Sequence, residues 1–183
     1  MKARLLALAL LATGCTVTPA DVGASPSCPQ GNDDVPDTVV LIAQAVPTAA
    51  LVPCVGTLPS GWTVPELQIE SSYARIVLAG DVMGTEAVRV ELTESCEVEE
   101  ASSVPSDRDG TTRYDAADGS ADLQGTRRYV FDGGCATYTY DLRSTDRDVP
   151  VDDALLAVSL LPRAMVNQSV RLDHDNRVGL DPS

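Results

Sequence analysis

Three patterns of apolar and polar residues follow one another along the chain, and each predicts a different kind of element. The first is a continuous apolar run. Leu5 to Ala12 is unbroken, with Lys2 and Arg4 before it and Thr13, Gly14 and Cys15 after it. It is well short of the roughly 20 residues that span a bilayer. Its layout is that of a secretory signal covering residues 1–14. Val39-Val40-Leu41-Ile42-Ala43 is apolar on every side and is expected to be buried. Its β-branched content would also suit a central strand, but Pro36 suits a first helical position, Asp37 the first turn, and Pro47 a stop, so 35–46 is predicted helical.

From Trp62 the period becomes two. Val64, Glu66 and Gln68 alternate with Pro65, Leu67 and Ile69. Ala74, Ile76 and Leu78 alternate with Tyr73, Arg75 and Val77, and Val88, Val90 and Leu92 with Arg89, Glu91 and Thr93. Turn residues separate these runs, which predicts an antiparallel meander with one wet face. Tyr129 and Phe131 then lead through Asp132-Gly133-Gly134 into Cys135, Thr137 and Thr139, the strongest hairpin signal in the chain.

The third pattern is polar. Residues 16–27 are small and Pro-containing, as in a flexible tether. Residues 94–124 are acidic and rich in Ser, Asp and Gly, and read as a solvated insertion between meander and hairpin. Asp152 and Asp153 open an apolar run, Ala154 to Leu161, predicted as a helix with acids at its positive end. Residues 163–172 fit a helical face through Met165, Val166, Ser169 and Val170. They also fit a strand through Val166, Val170 and Leu172, and we take the helix. Residues 173–183 are a polar tail. The elements sum to an α+β domain: an antiparallel sheet of about five strands with two or three helices packed on one face.

Charge narrows the partners. The 183 residues carry 27 acids against 13 bases, a formal charge of −14. Loss of residues 1–14 removes Lys2 and Arg4 and leaves 11 bases against 27 acids, a formal −16. Such a chain repels phosphates, so no nucleic acid is expected as a partner. For the same reason the body avoids anionic lipid, and membrane attachment must come from a lipid chain.

The cysteines supply that attachment. There are five: Cys15, Cys28, Cys54, Cys96 and Cys135. An odd count in an exported chain leaves one thiol to explain. Ala12-Thr13-Gly14-Cys15 resembles the lipobox of bacterial lipoproteins. The resemblance implies a diacylglycerol on Cys15 and a protein anchored outside the cytoplasm. Ala12 and Gly14 also fit ordinary signal cleavage. The expected organisation is a signal peptide at 1–14, a lipidated Cys15 with tether through 34, and a single exported domain at 35–183.

Four cysteines remain, with three possible pairings. Cys28–Cys54 would pin the end of the tether, and Cys96–Cys135 would staple the two ends of the acidic insertion. No CxxC spacing is present and His174 is the one histidine, so neither a zinc site nor a cofactor is expected. His174 lies between Asp173 and Asp175 and is the candidate acid–base group of an exported hydrolase-type enzyme. A solvated tail is the plainer reading, because no nucleophile motif accompanies it. The carboxylates of 107–122 suit Ca²⁺ by oxygen chemistry. However, Asp107-Arg108-Asp109-Gly110 lacks a full ligand set, and Arg108 and Arg113 offset its charge. Tyr129, Phe131, Tyr138 and Tyr140 either pack across the hairpin or present a face to a ligand. The function expected is that of a lipid-anchored cell-envelope protein with a non-catalytic binding or structural role, toward an envelope protein or a small ligand. The hydrolase and the Ca²⁺-dependent module are the alternatives.

Overall fold

In chain order the described elements are helix α1 (Asp37–Ala45), strands β1 (Leu51–Val55), β2 (Trp62–Glu70), β3 (Tyr73–Gly80), β4 (Gly84–Thr93), β5 (Ser102–Val104), β6 (Thr112–Ala117), β7 (Gln124–Phe131) and β8 (Gly134–Asp141), helix α2 (Val151–Leu156), strand β9 (Val158–Pro162) and helix α3 (Arg163–Asp173). They come from a computed structural model that describes residues 25–30, 34–98, 101–117, 123–142 and 151–181. The apolar signal run, Cys15, Asp118 and Asp122 lie outside the described residues. None of the described helices is long and apolar enough to cross a membrane.

The fold is mostly β. Seven strands pair antiparallel in the order β2-β3-β4-β8-β7-β6-β5, and β1 and β9 form a separate two-stranded ribbon. The period-two pattern places Ala74, Ile76 and Leu78 opposite Leu92, Val90 and Val88, all at 1% exposure or less. Slipping the register by one residue would turn this whole set to solvent, so burial holds the pairing. Helix α1 and the β1–β9 ribbon cover this inner face, and α3 packs on α1 and β9. Pro65, which has no N–H for the ladder, falls within a bulge of β2 between Thr63 and Glu66.

The β7–β8 hairpin joins sheet to cover. Phe131 pairs with Gly134 around a loop of Asp132 and Gly133. Gly133 has φ +64, and a Cβ there would collide with the Thr48 carbonyl oxygen. Only glycine satisfies both demands. The Ala50 N–H donates to the Asp132 carbonyl at 2.9 Å, so the hairpin tip is bonded to the loop after α1.

Several expectations change. The sheet has seven strands rather than five, because the acidic insertion contributes β5 and β6. Those strands mix polar residues with Val104, Tyr114, Ala116 and Ala117, and the regular hydrophobic alternation that marks a half-buried strand is missing from them. The apolar run at 154–161 is not one helix. Helix α2 ends at Leu156, and Val158–Pro162 extends as β9 against β1, which would otherwise have an unpaired edge. Residues 163–172 are helical, within α3. The body also begins before residue 35. Val55 donates to the Pro26 carbonyl and Cys28 donates to the Val55 carbonyl, both at 2.7 Å, so the end of the expected tether is laid against β1.

Candidate functional site

Both cysteine pairs are bonded in the structure. Cys28–Cys54 has a Cα–Cα distance of 4.9 Å and fastens the incoming chain to β1. Cys96–Cys135 spans 5.8 Å and fixes the start of the acidic insertion to β8. Cys54 and Cys135 are fully buried.

The inner face changes character across the sheet. One row of cross-strand partners reads Leu67, Ile76, Val90, Tyr138, Arg127, Asp115. It passes from apolar to charged at the point where α1 and the ribbon give way to α2. Here the insertion turns back onto the body. Arg108 places its guanidinium over the rings of Tyr129 and Tyr138, at 4.8 and 5.1 Å from their centroids. It donates to the carbonyls of Leu155, at 3.2 Å, and Val158, at 2.8 Å. The last carbonyls of a helix have no partner within it, so Arg108 supplies one for α2 from a distant segment. Tyr129 and Tyr138 meet edge to face at 5.3 Å.

Carboxylates surround this centre. The Tyr129 hydroxyl donates to Asp107 at 3.0 and 3.2 Å. Arg113 donates in fork geometry to Asp115, with Nε at 2.9 Å and Nη2 at 2.5 Å, and lies 3.4 Å from Asp107. Arg127 sits 3.5 Å from Asp115 and donates to Asp152 of α2 at 3.1 Å. Burial disfavours the Asp107 carboxylate, but backbone and Tyr129 hydrogen bonds and the Arg113 charge outweigh it and hold its pKa below the ordinary value. Hydrogen bonding to Asp115 raises Arg113. Burial raises Tyr138, whose hydroxyl donates to the Val158 carbonyl at 3.1 Å. Arg113 and Arg127 thus answer three aspartates, while Arg108 is held by carbonyls and rings. Chemically the arrangement is a clamp that holds α2 and the insertion on the sheet.

Sequence-predicted site residues fall on either side of this picture. Tyr129, Phe131 and Tyr138 are buried packing residues, and Tyr140 is partly buried. Asp107 and Asp115 are engaged by arginines, Asp109 is exposed, and no metal-binding group occurs among the described residues. His174 is exposed and caps the C-terminus of α3. The Asn176 N–H closes onto the Arg171 carbonyl at 2.7 Å, with Asp175 left-handed at φ 51, so the segment is a Schellman-type helix end. The structure brings no nucleophile to this histidine among the described residues.

A second site was not anticipated. Arg163, Asn167 and Arg171 recur at every fourth residue of α3 and line a cleft of about 560 Å³. Residues 178–181 run along this side of the helix. The Leu180 N–H donates to Asn167 Oδ1 at 2.9 Å, and the Asp181 N–H donates to Gln44 Oε1 of α1 at 3.2 Å. Arg163 donates to the Asp181 carbonyl at 3.0 Å and to the Ala43 carbonyl. Leu180 is 9% exposed and belongs to the core. At Gly179 an added Cβ would lie 3.0 Å from Asn167 Oδ1. Burial lowers the pKa of Arg163, against the opposing charge of Asp181. The i, i+4, i+8 spacing was the available signal, but the polar residues 173–183 gave no reason to expect a docked segment. Comparison with known proteins finds no matching family model, no matching curated protein and no matching solved structure.

Proposed function

We propose that the chain is a lipid-anchored protein of the cell envelope that acts by binding rather than catalysis. The observation that carries this reading is the fastening of the chain where it enters the body. Cys28 is bonded to buried Cys54, and the backbone at Pro26 and at Cys28 itself is hydrogen-bonded to Val55 of β1. A domain held by its N-terminal side needs that end secured, since tension on a tether would otherwise peel the first strand from the body. Two disulfides also suit an oxidising compartment outside the cytoplasm. A thioether-linked diacylglycerol on Cys15 supplies two acyl chains, the number that holds a protein stably to a bilayer. The binding role draws on where the candidate Ca²⁺ ligands and the candidate acid–base histidine lie. Asp107 and Asp115 are held by arginines, and His174 ends a helix in solvent.

Intact mass and fractionation test the anchor. The full chain expressed in a bacterial host should be recovered with membranes, with diacylglyceryl on an N-terminal Cys15. Cys15→Ser should be released or left unprocessed. A soluble wild-type product with a free Cys15 thiol would overturn the reading.

A further inference from the structure

We infer that the groove between α1 and α3 is a peptide-binding site, occupied in cis by residues 178–181, and that its ligand is an extended acidic peptide with a glycine–leucine core. The inference deepens the binding role proposed above by naming a ligand class, and it rests on that reading only for its biological setting.

The contacts to this segment are those by which proteins read a peptide backbone. Two consecutive N–H groups, of Leu180 and Asp181, are accepted by the side-chain carbonyls of Asn167 and Gln44, and the Asp181 carbonyl is taken by Arg163. These bonds come from two different helices and specify extended backbone. Side-chain selection is added at two positions. Gly179 lies where a Cβ would press on Asn167 Oδ1, and Leu180 fills an apolar socket at 9% exposure. The charge of the walls sets the rest. Arg163 and Arg171 line the cleft of a chain whose formal charge is −14, and the segment they face carries Asp181. An acidic peptide is attracted here and repelled by most of the remaining surface.

The segment is joined to α3 by exposed residues 173–177. This linker passes through two left-handed non-glycine residues, Asp175 at φ 51 and Asn176 at φ 61. Such a connection lets the strap lift without disturbing the sheet, because among the described residues its hydrogen bonds are to side chains of α1 and α3. While docked it competes with any ligand at the effective concentration of a short linker, in the millimolar range.

The test uses the full chain and a synthetic peptide of residues 178–181, acetylated, amidated and labelled with an uncharged fluorophore, so that Asp181 leaves it net acidic. Leu180→Asp in the protein removes the apolar anchor of the strap and frees the groove. Fluorescence anisotropy should show this variant binding the peptide about tenfold or more tightly than wild type does, because the tethered competitor is gone. Adding Asn167→Ala should abolish the gain, and a peptide carrying Leu180→Asp should not bind. Absence of binding by a variant with native far-UV circular dichroism overturns the inference, as does equal binding of both peptides. Hydrogen exchange on the wild type keeps the idea testable if the variant misfolds. The Leu180 and Asp181 amides should be protected together and open well before those of Val90 and Tyr138. Exchange only through global unfolding, or no protection at all, refutes a detachable strap. Failure here leaves membrane recovery and lipidation of Cys15 unaffected, so the two readings fail separately.

Discussion

Replacing Arg108 with Met asks whether the acidic insertion is part of the folded body. Its Nη2 donates to Leu155 and Val158 carbonyls. The Val158 carbonyl keeps the Tyr138 hydroxyl when Arg108 is lost, so only the Leu155 carbonyl loses a partner that the structure supplies. Orphaning a buried carbonyl costs about 1–3 kcal/mol. The two ring contacts contribute about 0.5–1 kcal/mol each. Against this, Arg108 Nε is already buried without a hydrogen bond, and removing it returns on the order of 1 kcal/mol. The net loss is about 2 kcal/mol. For a domain of this size that lowers the melting temperature by about 4–8 °C. Arg108→Lys should fall between, since it keeps the charge but not the planar fork. Calorimetry of the three proteins measures the shifts, and a cycle with Tyr138→Phe should show coupling, because both side chains serve the Val158 carbonyl. An Arg108→Met protein melting within about 1 °C of wild type would refute the clamp, since a solvated loop residue changes stability by no more than about 0.5 kcal/mol.

Gly133→Ala should destabilise by about 1–2 kcal/mol through its left-handed backbone alone. Its Cβ would also force Thr48 aside, so the measured loss in denaturant titration should exceed that of an ordinary loop glycine. The double variant Cys96→Ala, Cys135→Ala releases a 39-residue separation and should lose about 4 kcal/mol on chain-entropy grounds. Non-reducing peptide mapping of the wild type should recover Cys96 joined to Cys135, and a Cys96–Cys54 peptide would contradict the sheet. Asp107 has a folded pKa held below its ordinary value, so its contribution is complete above the ordinary carboxylate range and is lost as pH falls through the depressed value. Asp107→Asn should therefore flatten the acid side of the melting-temperature profile while lowering its neutral plateau.

Local patterns determined much of this architecture. Alternation in 73–78 and 88–92 specified paired strands, because period-two burial leaves one workable register. Asp132-Gly133 specified the hairpin, since the left-handed position needs glycine. The cysteine positions in the strand pattern suggested the two pairings that the structure contains. What the sequence could not express was decided by contacts between distant residues. Residues 112–117 have no consistently apolar face, and their place in the sheet is fixed by pairing with β7 and by Asp115 meeting Arg127. Val158 to Pro162 continues the apolar run that begins in the helix before it, and becomes a strand because β1 offers an edge. Residues 178–181 look like solvated tail until α1 and α3 bring Gln44, Asn167 and Arg163 together. Hydrophobic periodicity records which face of an element is buried, whereas ion pairs, strand edges and backbone capture need partners that only the folded chain brings within reach.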